Sequence, residues 1–193
     1  AESALKRHDL KPYAISTVQR NSAQIQSALQ VLTSSQPNAI IIISTYVSSA
    51  ALSKELLQRD TKAQIMNVSF VGTRALEQSL PVGQANGIGV SQVVPFPWDR
   101  WIPVVAEYQR VMRVNNPSAR FGFTSLEGFM AAKLITEGIK NVQGPLSKET
   151  LLTSLKSIKK VDLGGFELDL SSNNKQASNY VELTFFGAQQ WEP

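Results

Sequence analysis

"NAIIIISTYVSSAALSKEL", residues 38 to 56, sets four consecutive isoleucines ahead of a Ser-Thr-Tyr step and an amphipathic run. Four β-branched apolar residues in a row lack the in-and-out alternation of a half-solvated strand. They are expected to form a strand of a parallel sheet covered on both faces. The chain then turns into a helix, with Ser48 or Ser49 as the cap and Leu52 and Leu56 facing the core. The tyrosine is the element to explain, because an aromatic ring stands among small hydroxyl residues where the strand stops.

Upstream, residues 1 to 10 read as an amphipathic helix and residues 12 to 18 as a strand. Asn21 or Ser22 can cap a helix running to Ser34, with Ile25, Leu29 and Leu32 on one side. Downstream, residues 64 to 68 read as a strand, 74 to 80 as a short helix and 89 to 94 as a strand. Strands and helices that alternate in this way build right-handed βαβ units and a parallel sheet, an α/β fold. The pattern changes at Pro95-Phe96-Pro97, which cannot continue a central strand. A helix over 101 to 114 follows, with Val104, Val105, Tyr108 and Met112 on one face. Thr124 and Glu127 then form a capping box for a helix reaching Val142, and Ser147 caps another carrying Leu151, Leu152, Leu155 and Ile158. Two β segments, 166 to 170 and 180 to 186, close the chain. The first helix has no strand before it, and the later helices have few strands to lie on. The chain therefore reads as a fragment of a larger fold.

Composition excludes several kinds of chemistry. The 193 residues include no cysteine, which removes disulfides, thiol catalysis and cysteine-ligated metal. His8 is the single histidine, so a site with two histidine ligands cannot form. No serine lies in a G-x-S-x-G elbow, and Gly87-Ile88-Gly89 has Gln92 where a dinucleotide fingerprint needs its third glycine. No cofactor or metal is expected, and an enzyme is the weaker reading. The net charge is +4 with pI about 9.4. The densest basic cluster, Lys156, Lys159 and Lys160, is expected at a helix end and is not interleaved with aromatic rings, which argues against nucleic acid. Asn67-Val68-Ser69 matches a glycosylation sequon at a strand end. No apolar run approaches the ~20 residues of a membrane span.

Ligands of open parallel sheets bind beyond the carboxyl ends of the strands. The residues expected there are Arg20 and Asn21, then Thr45 and Tyr46, then Ser69 and Phe70. Polar groups mixed with aromatic rings suit a small-molecule pocket, and the free N–H groups of the helix opened by Ser48 and Ser49 could face a carboxylate. Tyr46 and Phe70 could equally cap the core, and at this level the two readings stand even.

In chain order, "VQRNSAQIQSALQVL", "AIIIISTYVSSAALSKEL", "NVSFVG", "GVSQVVPFPWD", "SLEGFMAAKLITEGI" and "DLGGFELDL" together resemble periplasmic solute-binding proteins of the leucine/isoleucine/valine-binding type, the receptors of ABC importers. The resemblance implies a type I periplasmic-binding fold of two doubly wound parallel-sheet lobes joined by hinge crossings, with the amino-terminal part missing here. It implies that residues 1 to 95 form the second lobe without its first strand. Residues 96 to 178 would be the carboxy-terminal part of the first lobe, and 179 to 193 the return to the second. The implied hinge is Pro95, Phe96 and Pro97. By position, Tyr46 resembles the aromatic that closes over the ligand, flanked by Thr45, while Ser69, Phe70 and Arg74 occupy a loop that reaches the cleft. The implied partners are a small-molecule solute, an amino acid or similar small polar or aromatic-acid solute (an amino acid or related carboxylate), and the permease subunits of an ABC importer, in the periplasm or extracellular and membrane-associated. A ligand-sensing ectodomain of a membrane receptor has the same fold and is the alternative.

Overall fold

A computed structural model describes residues 2–171 and 176–187, so residues 188 to 193 of the expected return segment lie outside the described residues. The chain divides into two units, Ala1–Ser91 with Leu183–Glu192, and Gln92–Glu182, each described by itself below.

The first unit is built on the isoleucine run. Ala39–Ile42 form strand β1 and Gln64–Val68 form β2, the two joined by helix α3 (Tyr46–Gln58). β1 and β2 are parallel, with Ile42 opposite Asn67, and β2 is parallel to β3 (Gly89–Gln92). A further strand completes the order β1-β2-β3-β6, where β6 is Glu182–Phe185. This is the expected parallel α/β arrangement. On one face, Ile40, Ile42, Ile65 and Val90 pack with Leu52 and Leu56 of α3 and with Ile25 and Leu29 at the start of α2 (Gln26–Ser35). Leu76 of α4 (Thr73–Gln78) joins them and is fully buried. Each such side chain contributes on the order of 1.5–3 kcal/mol when fully buried.

The other face differs from expectation. Ile41 and Ile43 are 55% and 59% exposed, so the isoleucine run is not covered on both sides by the described residues. Leu183 and Phe185 are also exposed, and a side chain at Gly89 would collide with Met66 and Phe185. The outer edge of β1 likewise has no ladder partner among the described strands. Residues 12 to 18 form no strand, although Tyr13 and Ile15 keep an alternating exposed pattern. A strand requires a hydrogen-bonding neighbour, and this stretch has none among the described residues. Helix α1 is confined to Glu2–Lys6 and buries no residue, a short piece with no apolar partner to extend it.

The second unit is mainly helical: α5 (Pro103–Asn115), α6 (Phe123–Lys140) and α7 (Lys148–Ser157) with an antiparallel pair β4 (Lys160–Asp162) and β5 (Glu167–Asp169). Its core gathers Val104, Val105, Tyr108, Phe121, Leu126 and Leu163. Pro103 sits in the first turn of α5, where its missing N–H costs nothing. The capping box expected at Thr124 and Glu127 is absent. α6 starts at Phe123 with Gly122 as its cap, and no side chain caps it. Instead the buried Tyr108 hydroxyl accepts the Gly122 N–H at 3.0 Å and lies 2.5 Å from Ser125 Oγ. The cap expected at Ser147 does form, and it is a full box: the Thr150 N–H donates to Ser147 Oγ at 3.2 Å, and the Ser147 N–H to Thr150 Oγ1 at 2.8 Å.

The lysine cluster is split as well. Lys156 is in the last turn of α7, whereas Lys160 lies in β4, 3.5 Å from Glu167 and 3.8 Å from Asp169. The hydroxyl and N–H of Ser171 both hold the Asp169 carboxyl below its ordinary range, with Lys160 adding to the effect.

α6 and α7 approach closely at Gly138. A Cβ there would run into the Leu155 side chain and lie 3.2 Å from Leu151 Cδ1, while the Ser154 hydroxyl donates to the Gly138 carbonyl at 2.6 Å. Gly138→Ala gains up to about 1 kcal/mol of helix propensity. Overpacking here costs about 1–3 kcal/mol. The net expectation is a loss of about 1 kcal/mol, read as a lower urea midpoint at unchanged slope.

Candidate functional site

The register of β1 against β2 decides which residues meet at the carboxyl end of the sheet. Because Ile42 faces Asn67, Ser44 and Ser69 stand two residues further along neighbouring strands, which lie ~4.8 Å apart in a ladder. Thr45-Tyr46 and Ser69-Phe70 therefore leave the sheet side by side on one rim of the first unit. Neither ring caps the core, since Tyr46 is 44% exposed and Phe70 60% exposed.

Thr45 is the N-cap of α3 in extended geometry, and its hydroxyl donates to Asn21 Oδ1 at 2.8 Å. Asn21 has φ 55, the left-handed conformation that asparagine tolerates better than most residues. The buried Ser48 hydroxyl is within reach of two carbonyls of the same loop, Ser22 at 2.8 Å and Gln19 at 3.3 Å. Loop 19–22 is thus tied to the first turn of α3. Ser48 or Ser49 is the expected cap of this helix, but the cap is Thr45, three residues before Ser48, and the helix begins at Tyr46. Both serines lie inside its first turn, and the Ser49 N–H already donates to the Thr45 carbonyl at 3.0 Å. Their spacing from the end of the isoleucine run, one turn into the helix, was the signal that they face inward.

Ser69 opens a single 3-10 turn, Ser69–Val71, that ends at Gly72 with φ 76. α4 follows at once, carrying an exposed Arg74. Ser69, Phe70 and Arg74 therefore belong to one continuous connection beyond β2. Pro95, Phe96 and Pro97 fall in the second unit. Both prolines are buried, the Phe96 ring lies 5.0 Å from Trp98 and 6.0 Å from Phe123, and Gln109 Nε2 donates to the Pro97 carbonyl at 2.9 Å. The sequon is closed, because Asn67 is 2% exposed and points its amide into the core, where neither amide atom has a hydrogen-bond partner.

A concavity of about 280 Å³, lined by Asn38, Lys62, Gln64 and Gly87 among others, lies at the opposite, amino ends of β1 and β2. The Gln64 amide there already donates to the Gly87 carbonyl at 2.8 Å, leaving little to recognise a solute. No group of titratable residues suited to a metal ion occurs among the described residues.

Residues 1–186 match the periplasmic binding protein family. The chain belongs to that family. Among solved structures, this periplasmic binding protein chain is similar to a possible leucine/isoleucine/valine-binding protein from Rhodopirellula baltica SH 1. The two are 31% identical with TM-score 0.86, over 96% of this chain and 52% of that one. It is also similar to a substrate-binding periplasmic protein from Ralstonia solanacearum, at 26% identity and TM-score 0.86, over 97% and 54% of the two chains. A leucine-binding protein from Thermotoga maritima shares the fold at 17% identity and TM-score 0.69, over 86% and 46%. The chain thus spans about half the length of these relatives. No curated protein matches it.

Ser48→Ala should lower stability by about 1–2 kcal/mol, since it withdraws a buried donor from two loop carbonyls. Ser49→Ala should cost less, its hydroxyl reaching only the Ser44 carbonyl at 3.5 Å. Chemical denaturation of the two variants side by side checks the order.

Proposed function

We propose that this chain is part of an extracytoplasmic receptor that captures a small amino-acid-like or aromatic-acid solute and delivers it to an ABC importer. The observation that carries the reading is the carboxyl rim of the first unit's parallel sheet. There two large aromatic rings stand in solvent beside the hydroxyls of Thr45 and Ser69. Exposed Tyr and Phe together with a few polar groups are what a small-molecule site requires. Membership in the periplasmic binding protein family supports the role, and the relatives named above are described as leucine/isoleucine/valine-binding, substrate-binding and leucine-binding proteins.

In this reading Tyr46 and Phe70 cover the apolar part of the solute, Thr45 and Ser69 supply hydrogen bonds, and Arg74 supplies charge. Residues 1 to 95 and the last stretch belong to the second lobe of the receptor, and 96 to 178 to the first. Pro95, Phe96 and Pro97 form the hinge. Solute favours the closed form because only that form contacts it from both lobes. No reacting group is assigned, and the receptor acts by binding. Among the described residues no helix is long and apolar enough to cross a membrane. The proposed location is the periplasm, or extracellular and membrane-associated, with permease subunits as the protein partner.

Thermal-shift screening of the full-length receptor against amino acids and aromatic acids tests this. A true ligand at 100 times its Kd stabilises by about 2.7 kcal/mol. Tyr46→Ala should weaken that ligand by about 10-fold or more, or about 1.4 kcal/mol, with little change in the ligand-free melting temperature because the ring is half exposed. No stabilisation by any solute would refute the proposal.

A further inference from the structure

The charged groups of the first unit are segregated along its sheet. Arg20 and Arg74 are exposed, flank the rim on either side of Thr45 and Ser69 in the chain, and form no ion pair with a described residue. Glu182, in β6 of the same sheet and two strands from β2, already accepts the Tyr180 hydroxyl at 2.6 Å, and the other carboxylates lie elsewhere. Glu55 pairs with Arg59 at 3.4 Å near the far end of α3, and Asp60 pairs with Lys62 at 2.6 Å just beyond it. α3 starts at the rim, so these residues are nine or more positions from Tyr46, at least ~13 Å along the helix axis. Glu2 and Asp9 precede the ten-residue stretch 10–19 that leads to Arg20. Glu77, one turn beyond Arg74, is the nearest carboxylate in the chain, and it forms no ion pair with that guanidinium.

We infer that this rim selects an organic anion: a small carboxylate with an apolar or aromatic body, held by Arg74 and favoured by Arg20, in preference to a net-neutral aliphatic amino acid or an amine. The inference rests on the receptor reading above and sharpens its solute class. With two guanidinium groups outside any ion pair and no carboxylate on the exits from β1 and β2 among the described residues, this part of the rim presents a positive potential to an arriving solute. It offers an ammonium group no charged acceptor. A guanidinium can grip a carboxylate through two parallel N–H donors, which adds geometric selection to charge. Tyr46 and Phe70 then cover the body of the solute.

The test is a binding screen of the full-length receptor with matched carboxylate, amide and amine forms of aromatic, branched and straight-chain skeletons, phenylacetate, phenylacetamide and 2-phenylethylamine among them, together with L-leucine and L-phenylalanine. The expected result is that every solute that stabilises the protein carries net negative charge. Arg74→Gln should then weaken the best anion by about 10-fold or more, Arg74→Lys should retain part of the affinity, and Glu77→Gln should change nothing. L-leucine or an amine binding as tightly as the matched acid would overturn the anion inference while leaving the receptor reading intact. So would an unchanged affinity in Arg74→Gln, or a loss in Glu77→Gln. If nothing in the screen binds, the receptor reading and this inference fall together.

Discussion

The parallel pairing of β1 with β2 is the constraint on which the site depends. A parallel ladder cannot be closed by a tight turn, so α3 must carry the chain back across the sheet before β2 can begin. The two strands consequently end at the same edge, and with Ile42 opposite Asn67 their exits are in register. A slip of one residue would turn every side chain of β1 to the opposite face, exposing Ile40 and Ile42 and burying Ile41 and Ile43. The burial of Ile40 and Ile42 against Leu52 and Leu56 thus holds the register, and the register places Thr45-Tyr46 beside Ser69-Phe70. Core packing and site geometry are two consequences of one alignment.

The rim is further organised by small polar residues that do not face a solute. Ser48 spends its hydroxyl on the Ser22 and Gln19 carbonyls, and Asn21 accepts from Thr45. Together they brace a loop whose backbone at Asn21 occupies the left-handed region. Any solute contact by the Thr45 hydroxyl competes with, or is oriented by, its bond to Asn21. The aromatic rings carry no such restraint, which suits groups that must adjust around a ligand.

Much of this was legible in the sequence where local pattern and tertiary environment agree. Gln64 to Val68 reads as a strand and is one, and Ser147 reads as a cap and is one, because its hydroxyl can accept the Thr150 N–H while it donates to Glu149 within the same turn. The capping box at Thr124 failed for a tertiary reason. Phe123 is drawn into the core and starts the helix two residues early, with Gly122 rather than Thr124 at the cap, and the Tyr108 hydroxyl, fourteen residues away, takes the Gly122 N–H. Residues 12 to 18 have strand composition, yet strand formation needs a neighbour that local sequence cannot reveal. The same applies to the exits from β1 and β2. That Tyr46 and Ser69 follow the ends of their strands could be read directly, whereas the exposure of the two rings depended on what packs around them.

The bare face of the first unit bears on how the isoleucine run should be understood. Alternation is absent from Ile40 to Ile43, which argues for cover on both sides, yet the described residues cover only one. Ile41, Ile43, Leu183 and Phe185 leave apolar surface in water beside an unpaired strand edge. Contiguous apolar surface next to an open edge is unfavourable in a monomer and invites association. The buried half of the run contributes to the core of this unit, while the exposed half buries little apolar surface against the described residues. Composition and burial disagree at these residues because the strand's sequence is suited to a layered sheet with two covers. That suitability, rather than a misread period, is why the pattern looks so strongly buried while two of its four isoleucines remain in solvent.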